Sequence, residues 1–578
     1  MATINAEATR LATILQNDLD ALAHDRPISA CALTAPRRRS TKTSALASAV
    51  AAHLFPDDIT EPLRALIQYE KVIIQLRAAF LAQEHAENES VRKENRTNTW
   101  SGRIEAQGPW DEINDPVSLE GVEALPSPVK ISSEETLASF FRYLAQGGDF
   151  DGRGDRVVQL EPHSGEPYIE FEKGVLYKDS RMDLCKVAVG PQHIETLLTA
   201  LRTNSFVRHF LFGNNLIGRC GAHAVADFIR DYPDKFETWY LASCCLDAAS
   251  LKLLVDQIVK SSICHSIWLK RNALTSSAAG DVARMIILMK GLKTLDLDQT
   301  NLGDTGVAQL FEQLGEHVAS NDRPLSLETV YLNADGIGHK GCVSMARYLG
   351  SPNCALNNLS VACNPIGDKG AYALAQGLAT NRSLLRLCLK SCGLKTAGAI
   401  ALFTALRNHP KLCVLDVSHA YTTKDLDARY NYIEDGATQS IIDMLTHLRT
   451  LRSFSLGITA MSRDCLDSIK LALYSSNLFF YMGTSIHISP NSIPAIVKPD
   501  GVHNHLLANV QAHYGKDMRY PQFLDGPMRL LINGEHVRYI HSVYRSRDKR
   551  KARRGEMVLQ KKWDEGDNTL MEVQRMSD

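Results

Sequence analysis

Apolar residues recur through the middle of the chain in a pattern that keeps one register. Residues 356–366 and 384–394 both read L-x-x-L-x-L-x-x-(N/C)-x-(L/I), and a helical run with an early glycine follows each of them. Nine such units align, and most successive starts lie 28 or 29 residues apart, a regularity that chance does not maintain. The first positions are Val207, Phe236, Cys264, Leu292, Leu327, Leu356, Leu384, Leu412 and Leu451.

Each unit predicts a short strand followed by a helix. Positions 1, 4 and 6 alternate around the strand and point into a shared core. A glycine at position 15, such as Gly370, is predicted to open the helix, whose inner face in the sixth unit is Ala371, Leu374, Ala375 and Leu378. Position 9 holds side chains that can hydrogen-bond the backbone of the turn. These are Asn215, Asn272 and Asn364, with Cys244, Thr300 and Cys392 as weaker equivalents.

The pattern resembles the ribonuclease-inhibitor type of leucine-rich repeat, whose units alternate between 28 and 29 residues. The resemblance covers roughly residues 184–485. It implies an α/β fold, a right-handed solenoid or horseshoe with parallel strands on the concave side and helices outside. Ribonuclease inhibitors, nucleotide-oligomerisation receptors and activators of the small GTPase Ran share this horseshoe and little chemistry. The resemblance therefore implies a binding surface and names no ligand.

Four regions are predicted along the chain. Residues 1–115 form a helical, partly disordered N-terminal region, and residues 116–205 form a linker and an N-terminal cap with a hairpin around Gly174 and a shortened first repeat starting at Leu184. The leucine-rich repeats occupy residues 206–485. Residues 486–578 form a C-terminal cap that contains the basic segment 545–554.

Two insertions interrupt the repeats. Residues 316–326 add seven residues before the fifth strand, and residues 421–430 follow the strand of the eighth unit. The second insertion is predicted to project from the strand-to-helix edge beside the concave face. Insertions in solenoids are usually surface loops, although two tyrosines and mixed charge also allow a contact role here.

Bulk composition excludes several classes of protein. A formal net charge of −1 gives no global field that would draw the chain to nucleic acid or a membrane. The sequence predicts neither a signal peptide nor a membrane span. Thirteen cysteines, an odd number spread through the repeats, indicate free thiols in a reducing compartment. We therefore expect a cytoplasmic protein, with the nucleus as the alternative.

Positions 5, 7 and 8 of the repeats are predicted to face the hollow of the horseshoe. Aromatic side chains mixed with both signs of charge are typical of protein-binding surfaces. In the alternative interpretation, Trp268 packs flat on its neighbours and the charges are only solvated. The first interpretation expects that replacing Tyr240 and Trp268 by alanine leaves thermal unfolding nearly unchanged. The candidate residues are Tyr240, Trp268, Lys270, Arg271, Asp296, Asp298, Tyr331 and Asn333.

Asp296 and Asp298, together with Asp335, also suggest a metal or acid–base site. However, Lys270 and Arg271 offer simple ionic partners, and neither a phosphate loop nor the His/Cys spacing of a zinc site accompanies the carboxylates. The sequence therefore predicts no catalytic residue, no metal and no cofactor. The basic segment 545–554 has three interpretations, namely a solvated helix face, a nuclear-import or nucleic-acid patch, and a contact for an acidic partner.

These features favour a non-catalytic scaffold or adaptor that binds another protein through the concave face. A regulator of a small GTPase, or a receptor-like sensor, is the alternative. A GTPase activator needs an exposed arginine or asparagine beside the nucleotide. Arg271 and Asn333 are the concave candidates, and the acidic tail usual in Ran activators is replaced here by a basic one.

Overall fold

The computed structural model describes residues 100–161, 164–420, 422–475, 479–483, 501–545 and 563–576. These residues belong to the second of the two units into which the chain divides, Arg96–Asp578. The predicted N-terminal region up to residue 99 lies outside the described residues. The same holds for residues 546–554 of the basic segment.

A sheet of fourteen strands, arranged in chain order, forms one layer of the described residues. The first three pairings are antiparallel and the others, from β4 to β14, are parallel. The strands are β1 (Val158–Leu160), β2 (Pro167–Glu170), β3 (Val175–Tyr177), β4 (Arg181–Asp183), β5 (His209–Leu211), β6 (Thr238–Tyr240), β7 (Ser266–Trp268), β8 (Thr294–Asp296), β9 (Thr329–Tyr331), β10 (Asn358–Ser360), β11 (Arg386–Cys388), β12 (Val414–Asp416), β13 (Ser453–Ser455) and β14 (Tyr481–Gly483).

A helix follows each strand from β4 to β13, and consecutive helices pack side by side. Before the repeats come α1 (Trp100–Gln107) and α2 (Glu134–Ala145). The helices of the repeats are α3 (Gly190–Arg202), α4 (Gly218–Asp231), α5 (Ala248–Ile258), α6 (Ala279–Leu288), α7 (Gly303–Asn321), α8 (His339–Leu349), α9 (Gly367–Thr380), α10 (Thr396–Leu406), α11 (Thr438–His447) and α12 (Arg463–Ala472). After them come α13 (Gly501–Tyr514), α14 (Tyr520–Asp525), α15 (Pro527–Asn533) and α16 (Thr569–Arg575).

The predicted solenoid is confirmed, and its nine units keep one register. In every unit the strand occupies positions 3 to 5, and each position 5 pairs with position 5 of the next strand, as Trp268 does with Asp296. The hairpin flanking Gly174 is also present. The predicted start of the shortened repeat at Leu184 is wrong. Strand β4 begins at Arg181 and pairs Met182 with Phe210, which puts Leu184 at position 6 of the repeat.

One continuous apolar core runs along the repeats between the strands and the helices. The four predicted inner residues of α9 are all buried in it. The glycine at position 15 does not open the helix, because α9 begins three residues earlier and Gly370 lies in its first turn. A Cβ at Gly370 would stand 2.7 Å from Cγ2 of Ile366 and 3.0 Å from Sγ of Cys342. Glycine is therefore needed there for close helix packing.

The position-9 side chains bond the turns as predicted. The Asn364 carbonyl oxygen accepts from the amides of Asp335 (2.9 Å) and Ile337 (3.0 Å), and its Nδ2 donates to the carbonyls of Leu332 and Val361, both at 2.8 Å. Cys392 makes a weaker version, with its Sγ 3.3 Å from the Val361 carbonyl. These bonds satisfy buried backbone groups that the strands leave unpaired, so each turn is fastened to the one before it.

The first insertion lengthens α7 to nineteen residues, and Asp322, the residue that follows the helix, is in the left-handed conformation. The second insertion interrupts the eighth unit between position 8 and position 9. The asparagine that takes position 9 after the insertion is not visible in the repeat pattern. This residue is Asn431, whose carbonyl oxygen accepts from the amides of Cys392 (2.9 Å) and Leu394 (3.0 Å).

The second insertion folds back onto the repeats, although the prediction has it projecting. Ala428 is buried against Ala362 and Cys363, so the insertion covers part of the wall beside it. Tyr430 is buried as well, and its backbone amide donates to Oε1 of Gln107 in α1 (2.7 Å). Tyr421, the other tyrosine of the insertion, lies outside the described residues.

Residues 108–132, which we call the N-terminal strap, contain no repeat. They run along the edge of the solenoid where the strands lead into the helices. The strap starts at the eighth unit, where the Asp115 carboxylate takes two hydrogen bonds of 2.6 Å from Arg429. It ends at the cap, where the amide of Ser132 donates to the Ala188 carbonyl (2.8 Å). In between, the Leu119 carbonyl accepts from the amide of Asp304 (2.8 Å). The strap thereby bonds the cap to turns of the first, fourth and eighth repeats.

Asp335 occupies position 9 of the fifth unit and makes the stability of the protein depend on pH. Its Oδ1 accepts from the amide (2.7 Å) and the hydroxyl (3.0 Å) of Thr300, and its buried Oδ2 has no hydrogen-bond partner among the described residues. Burial raises the pKa of Asp335 well above its ordinary value. The folded protein therefore holds a proton that the unfolded chain releases near pH 4, and stability falls as the pH rises above that point.

We predict that Asp335→Asn raises the free energy of unfolding at pH 7 by about 1–3 kcal/mol, because the neutral amide takes this position without the proton that the carboxyl must bind on folding. The gain should shrink as the pH falls toward 4. Urea unfolding at both pH values checks this. Asn364→Asp, the opposite change at the same repeat position, should lower stability at pH 7. Equal stability of Asp335→Asn and the wild type at both pH values would contradict the prediction.

Candidate functional site

The predicted site residues form two rows across the parallel sheet, which we call the concave wall. Along position 5, Tyr240 pairs with Trp268, Trp268 with Asp296, and Asp296 with Tyr331. The second row consists of Lys270, Asp298 and Asn333, each two residues after the position-5 residue of β7, β8 and β9. The structure thus brings these seven candidates together, since a fixed register stacks equal repeat positions side by side.

Arg271 departs from this arrangement. It lies at position 8, where seven successive units have a backbone in the left-handed region, with a φ of 58° at Arg271. Position 8 therefore belongs to the turn, and in two other units its side chain bonds the N-terminal strap. The Asn214 carbonyl oxygen accepts from the amide of Ser127 (2.7 Å), and Nε2 of Gln299 donates to the Glu123 carbonyl (3.1 Å). The expectation that position 8 faces the hollow is wrong for these units.

The wall is covered, although the sequence predicts an open, wet surface. Trp268 is 4% exposed, Tyr240 6% and Asp296 4%. The cover is part of the same chain, residues 531–545, which we call the C-terminal segment. Ile540 packs with Tyr240 and Trp268 in an apolar cluster separate from the main core. The partly buried Val537, Tyr544 and Tyr331 complete that cluster.

Aromatic rings of the C-terminal segment also contact aromatic rings of the wall. The ring centroids of Trp268 and Tyr331 are 5.6 Å apart in a stacked pair, and that of His536 lies 6.2 Å from Trp268. Farther back, Tyr539 stacks on His209 with centroids 4.4 Å apart. Such pairs add about 0.5–1.5 kcal/mol each beyond the area they bury.

Polar bonds hold the C-terminal segment at both ends. At β11, Nε of Arg386 donates to the Leu531 carbonyl (2.5 Å). At the cap, Nη1 of Arg181 donates to the His541 carbonyl (2.6 Å), and the amide of Val543 donates to the hydroxyl of Tyr177 (2.8 Å). The segment therefore crosses the wall from the seventh repeat back to the antiparallel hairpin.

Before it reaches the wall, the chain covers the last strand. Phe480, beside β14, is buried with Val510, Phe523 and Met528 of α13, α14 and α15. Nδ2 of Asn509 donates to the Phe479 carbonyl (2.9 Å), so this backbone group next to the last strand has a hydrogen-bond partner. Residues 501–545 thus first shield the end of the stack and then enter the hollow.

The charged wall residues are used structurally. Lys270 pairs with Asp298 (Nζ to Oδ2, 3.1 Å) and Lys390 with Asp416 (2.9 Å). Burial lowers the pKa of Lys390, but the charge of Asp416, the hydrogen bond to it, and Cys388 and Tyr481 together outweigh burial, so that pKa lies above its ordinary value. Oδ1 of Asp296 accepts from the amide of Asp298 (2.8 Å), and burial and then the charge of Asp298 raise the pKa of Asp296.

The suggested metal or acid–base site is not assembled as a unit. Asp335 bonds Thr300 in the turn, whereas Asp296 and Asp298 stand on the wall. Within the part of the chain that the structure describes, no group of three or more His, Cys, Asp or Glu side chains could hold a metal ion. The twelve cysteines described are all free thiols. Among the helices described, none is both long and apolar enough to cross a bilayer.

A cavity of about 370 Å³ remains between the C-terminal segment and the wall. Trp268, Lys270, Asp296 and Tyr331 line it from the wall, and Arg545 lines it from the segment. Nε1 of Trp268 is buried and has no hydrogen-bond partner among the described residues. The segment therefore covers the wall without filling the space above it or satisfying its indole donor.

Comparisons with known proteins agree with the repeat architecture. A family model described as Leucine Rich repeat matches residues 353–375. The ribonuclease inhibitor of Sus scrofa is 24% identical over 269 residues, which cover 41% of this chain and 57% of the relative. The human NACHT, LRR and PYD domains-containing protein 12 is 28% identical over 233 residues, 39% of this chain and 20% of the relative.

The chain thus spans little more than half of the first relative and a fifth of the second. A solved chain of the yeast Rad7 and Elc1 complex shares 17% sequence identity, with a TM-score of 0.32 and coverage of 51% of this chain and 72% of that one. The matched family model and these two relatives agree with a leucine-rich-repeat protein of the ribonuclease-inhibitor-like type.

The burial of Trp268 reverses the expectation that its replacement leaves stability unchanged. We predict that Trp268→Ala lowers the free energy of unfolding by about 3–5 kcal/mol, as for other large aromatic side chains removed from a packed site. Chemical denaturation of the full chain measures it. Tyr372→Ala, at a side chain 48% exposed on α9, should change stability by less than about 0.5 kcal/mol. Equal, small effects of both substitutions would show that the wall is open in solution.

Proposed function

We propose that this chain, a leucine-rich-repeat protein of the ribonuclease-inhibitor-like type, is a non-catalytic scaffold that binds another protein through its concave wall. The observation that carries the proposal is the C-terminal segment on that wall. A stretch of irregular backbone and 3₁₀ turn, with aromatic and aliphatic side chains, lies along Tyr240, Trp268 and Tyr331. A surface that accepts such a segment from its own chain has the chemistry to accept one from a partner.

The composition of the wall supports this proposal. Three large aromatic side chains stand on neighbouring strands, with paired lysines and aspartates beside them. Clusters of aromatic residues in a desolvated centre, with a charged rim, carry most of the binding energy in protein interfaces. The name of the pig relative describes an inhibitor of ribonuclease and hence a protein that acts on another protein.

Regulation of a small GTPase stays a prediction that no described contact favours. Nε of Arg271 is buried without a hydrogen-bond partner among the described residues, and burial lowers the pKa of this side chain. The carbonyl oxygen of Asn333 already accepts from the Ser360 hydroxyl (2.8 Å) and the amide of Ala362 (2.6 Å). Neither residue is arranged to reach a bound nucleotide. Receptor-like sensing and a cytoplasmic or nuclear location likewise stay predictions.

Lys390 offers a test of the wall, because its side chain is 35% exposed there. We predict that Lys390→Ala reduces affinity capture of the main partner protein at least ten-fold, whereas Lys340→Ala, on the exposed side of α8, leaves capture unchanged. Quantitative mass spectrometry of the captured proteins measures this. Circular dichroism must first show that both variants are folded.

Capture at two salt concentrations separates a protein partner from nucleic acid. A contact anchored by aromatic side chains should persist between 50 and 200 mM salt, whereas nucleic-acid binding falls by orders of magnitude over that range. Equal capture by Lys390→Ala and Lys340→Ala would place the contact surface elsewhere on the molecule.

A further inference from the structure

We infer that the concave wall recognises an arginine side chain on a segment of its partner protein, and that Arg545 occupies this site in the partner's absence. The inference rests on the proposed function and adds to it the chemistry of the partner. It also assigns the C-terminal segment a role as an exchangeable intramolecular ligand.

The site combines aromatic faces with a carboxylate. Asp296 stands between Trp268 and Tyr331 in the position-5 row, and Tyr240 is the next ring, with its centroid 6.1 Å from that of Trp268. Within the described residues Asp296 forms no ion pair, since Lys270 is paired with Asp298. Aromatic faces attract cations, and a guanidinium is the cation best suited to stacking on them beside a carboxylate.

Arg545 already takes part of this position. Its guanidinium carbon lies 5.4 Å from the centroid of the Tyr240 ring, and its Nη1 donates to the Ile540 carbonyl of its own segment (2.9 Å). The pKa of Arg545 is raised by Tyr240 and, against the opposing effect of burial, also by Cys185 and the carboxylates of Asp183 and Asp296. The guanidinium thus lies against an aromatic face of the wall, where a cation is attracted.

The fit of the C-terminal segment is incomplete, which makes it exchangeable. Among the described residues Arg545 forms no direct ion pair with Asp296, and a cavity of about 370 Å³ remains between part of the segment and the wall. The indole donor of Trp268 finds no acceptor in the described part of the chain. A buried unsatisfied donor is destabilising, so a partner segment that supplies an acceptor and a closer guanidinium binds better than the chain's own segment.

The packing allows the segment to leave without unfolding the repeats. Ile540, Tyr240 and Trp268 belong to an apolar cluster separate from the core that joins the strands and helices. Tyr544 also packs against the main core, so loss of the segment uncovers the wall and removes that contact, while the packing of strands on helices stays in place. Segments with few apolar contacts to the main core open at lower free energy than the core itself.

The test uses the full chain and a fluorescein-labelled peptide of residues 535–545. In the wild type the chain's own segment competes, and we expect weak binding of the peptide. Ile540→Asp should unseat that segment and tighten peptide binding at least ten-fold in fluorescence polarisation. Asp296→Asn, combined with Ile540→Asp, should weaken binding again, because it removes the negative charge but keeps the oxygen that accepts from Asp298.

Two peptide variants isolate the arginine. A peptide with Arg545→Ala should bind at least ten-fold more weakly. A peptide with Arg538→Ala should bind like the parent, since the Arg538 guanidinium lies over the neighbouring Tyr539 ring (4.6 Å). Equal binding of all three peptides would overturn arginine recognition and leave the wall as a binding surface. Failure of every peptide to bind a folded Ile540→Asp chain would overturn the exchange, while the proposed function is decided by capture with Lys390→Ala.

Hydrogen exchange of the wild type keeps the inference testable if Ile540→Asp does not fold. We expect the amides of residues 535–545 to exchange at least ten-fold faster than those of strand β10, Asn358–Ser360. Exchange as slow as in β10 would show that the C-terminal segment is a permanent part of the fold and would overturn the inference.

Discussion

The hydrogen bonds of the position-9 side chains determine the rest of the structure. Asn364 and Asn431 each bond the backbone of the preceding turn and of their own turn, which fixes every strand relative to the last. With three-residue strands, the sheet alone has few bonds that resist slippage, and a one-residue shift would turn the wall side chains into the core. The row Tyr240, Trp268, Asp296 and Tyr331 exists because these turns hold one register.

Two segments outside the repeats then use the edges that this register creates. The N-terminal strap bonds the turns, and the C-terminal segment lies on the wall. The two differ in how they are held. Hydrogen bonds hold both, but the strap has the doubly bonded Asp115–Arg429 pair, whereas the segment leaves a cavity beneath it and an indole donor that has no acceptor among the described residues. That contrast is the physical reason to regard the strap as structural and the segment as a ligand.

Periodicity made the nine strands, the wall row and the inner face of α9 predictable, because a repeat fixes equal environments at equal positions. Asn431 escaped prediction because the insertion separates it from its strand, and it could have been found by searching for an asparagine after residue 430 that restores the spacing. The cover on Trp268 has no periodic signal, since Arg181 and His541 are far apart in sequence. The sequence predicts Arg545 as part of a basic surface segment. Its position over the Tyr240 ring follows only from the packing of the C-terminal segment on the wall.

The central claim is that residues 531–545 lie on the concave wall of the same molecule. Photo-cross-linking with benzoylphenylalanine at position 537, which lines the cavity, tests this most directly. The account predicts cross-links within one chain to residues 238–268, identified by mass spectrometry of the monomer band. Cross-links that join two chains, or that reach only residues 501–533, would contradict it.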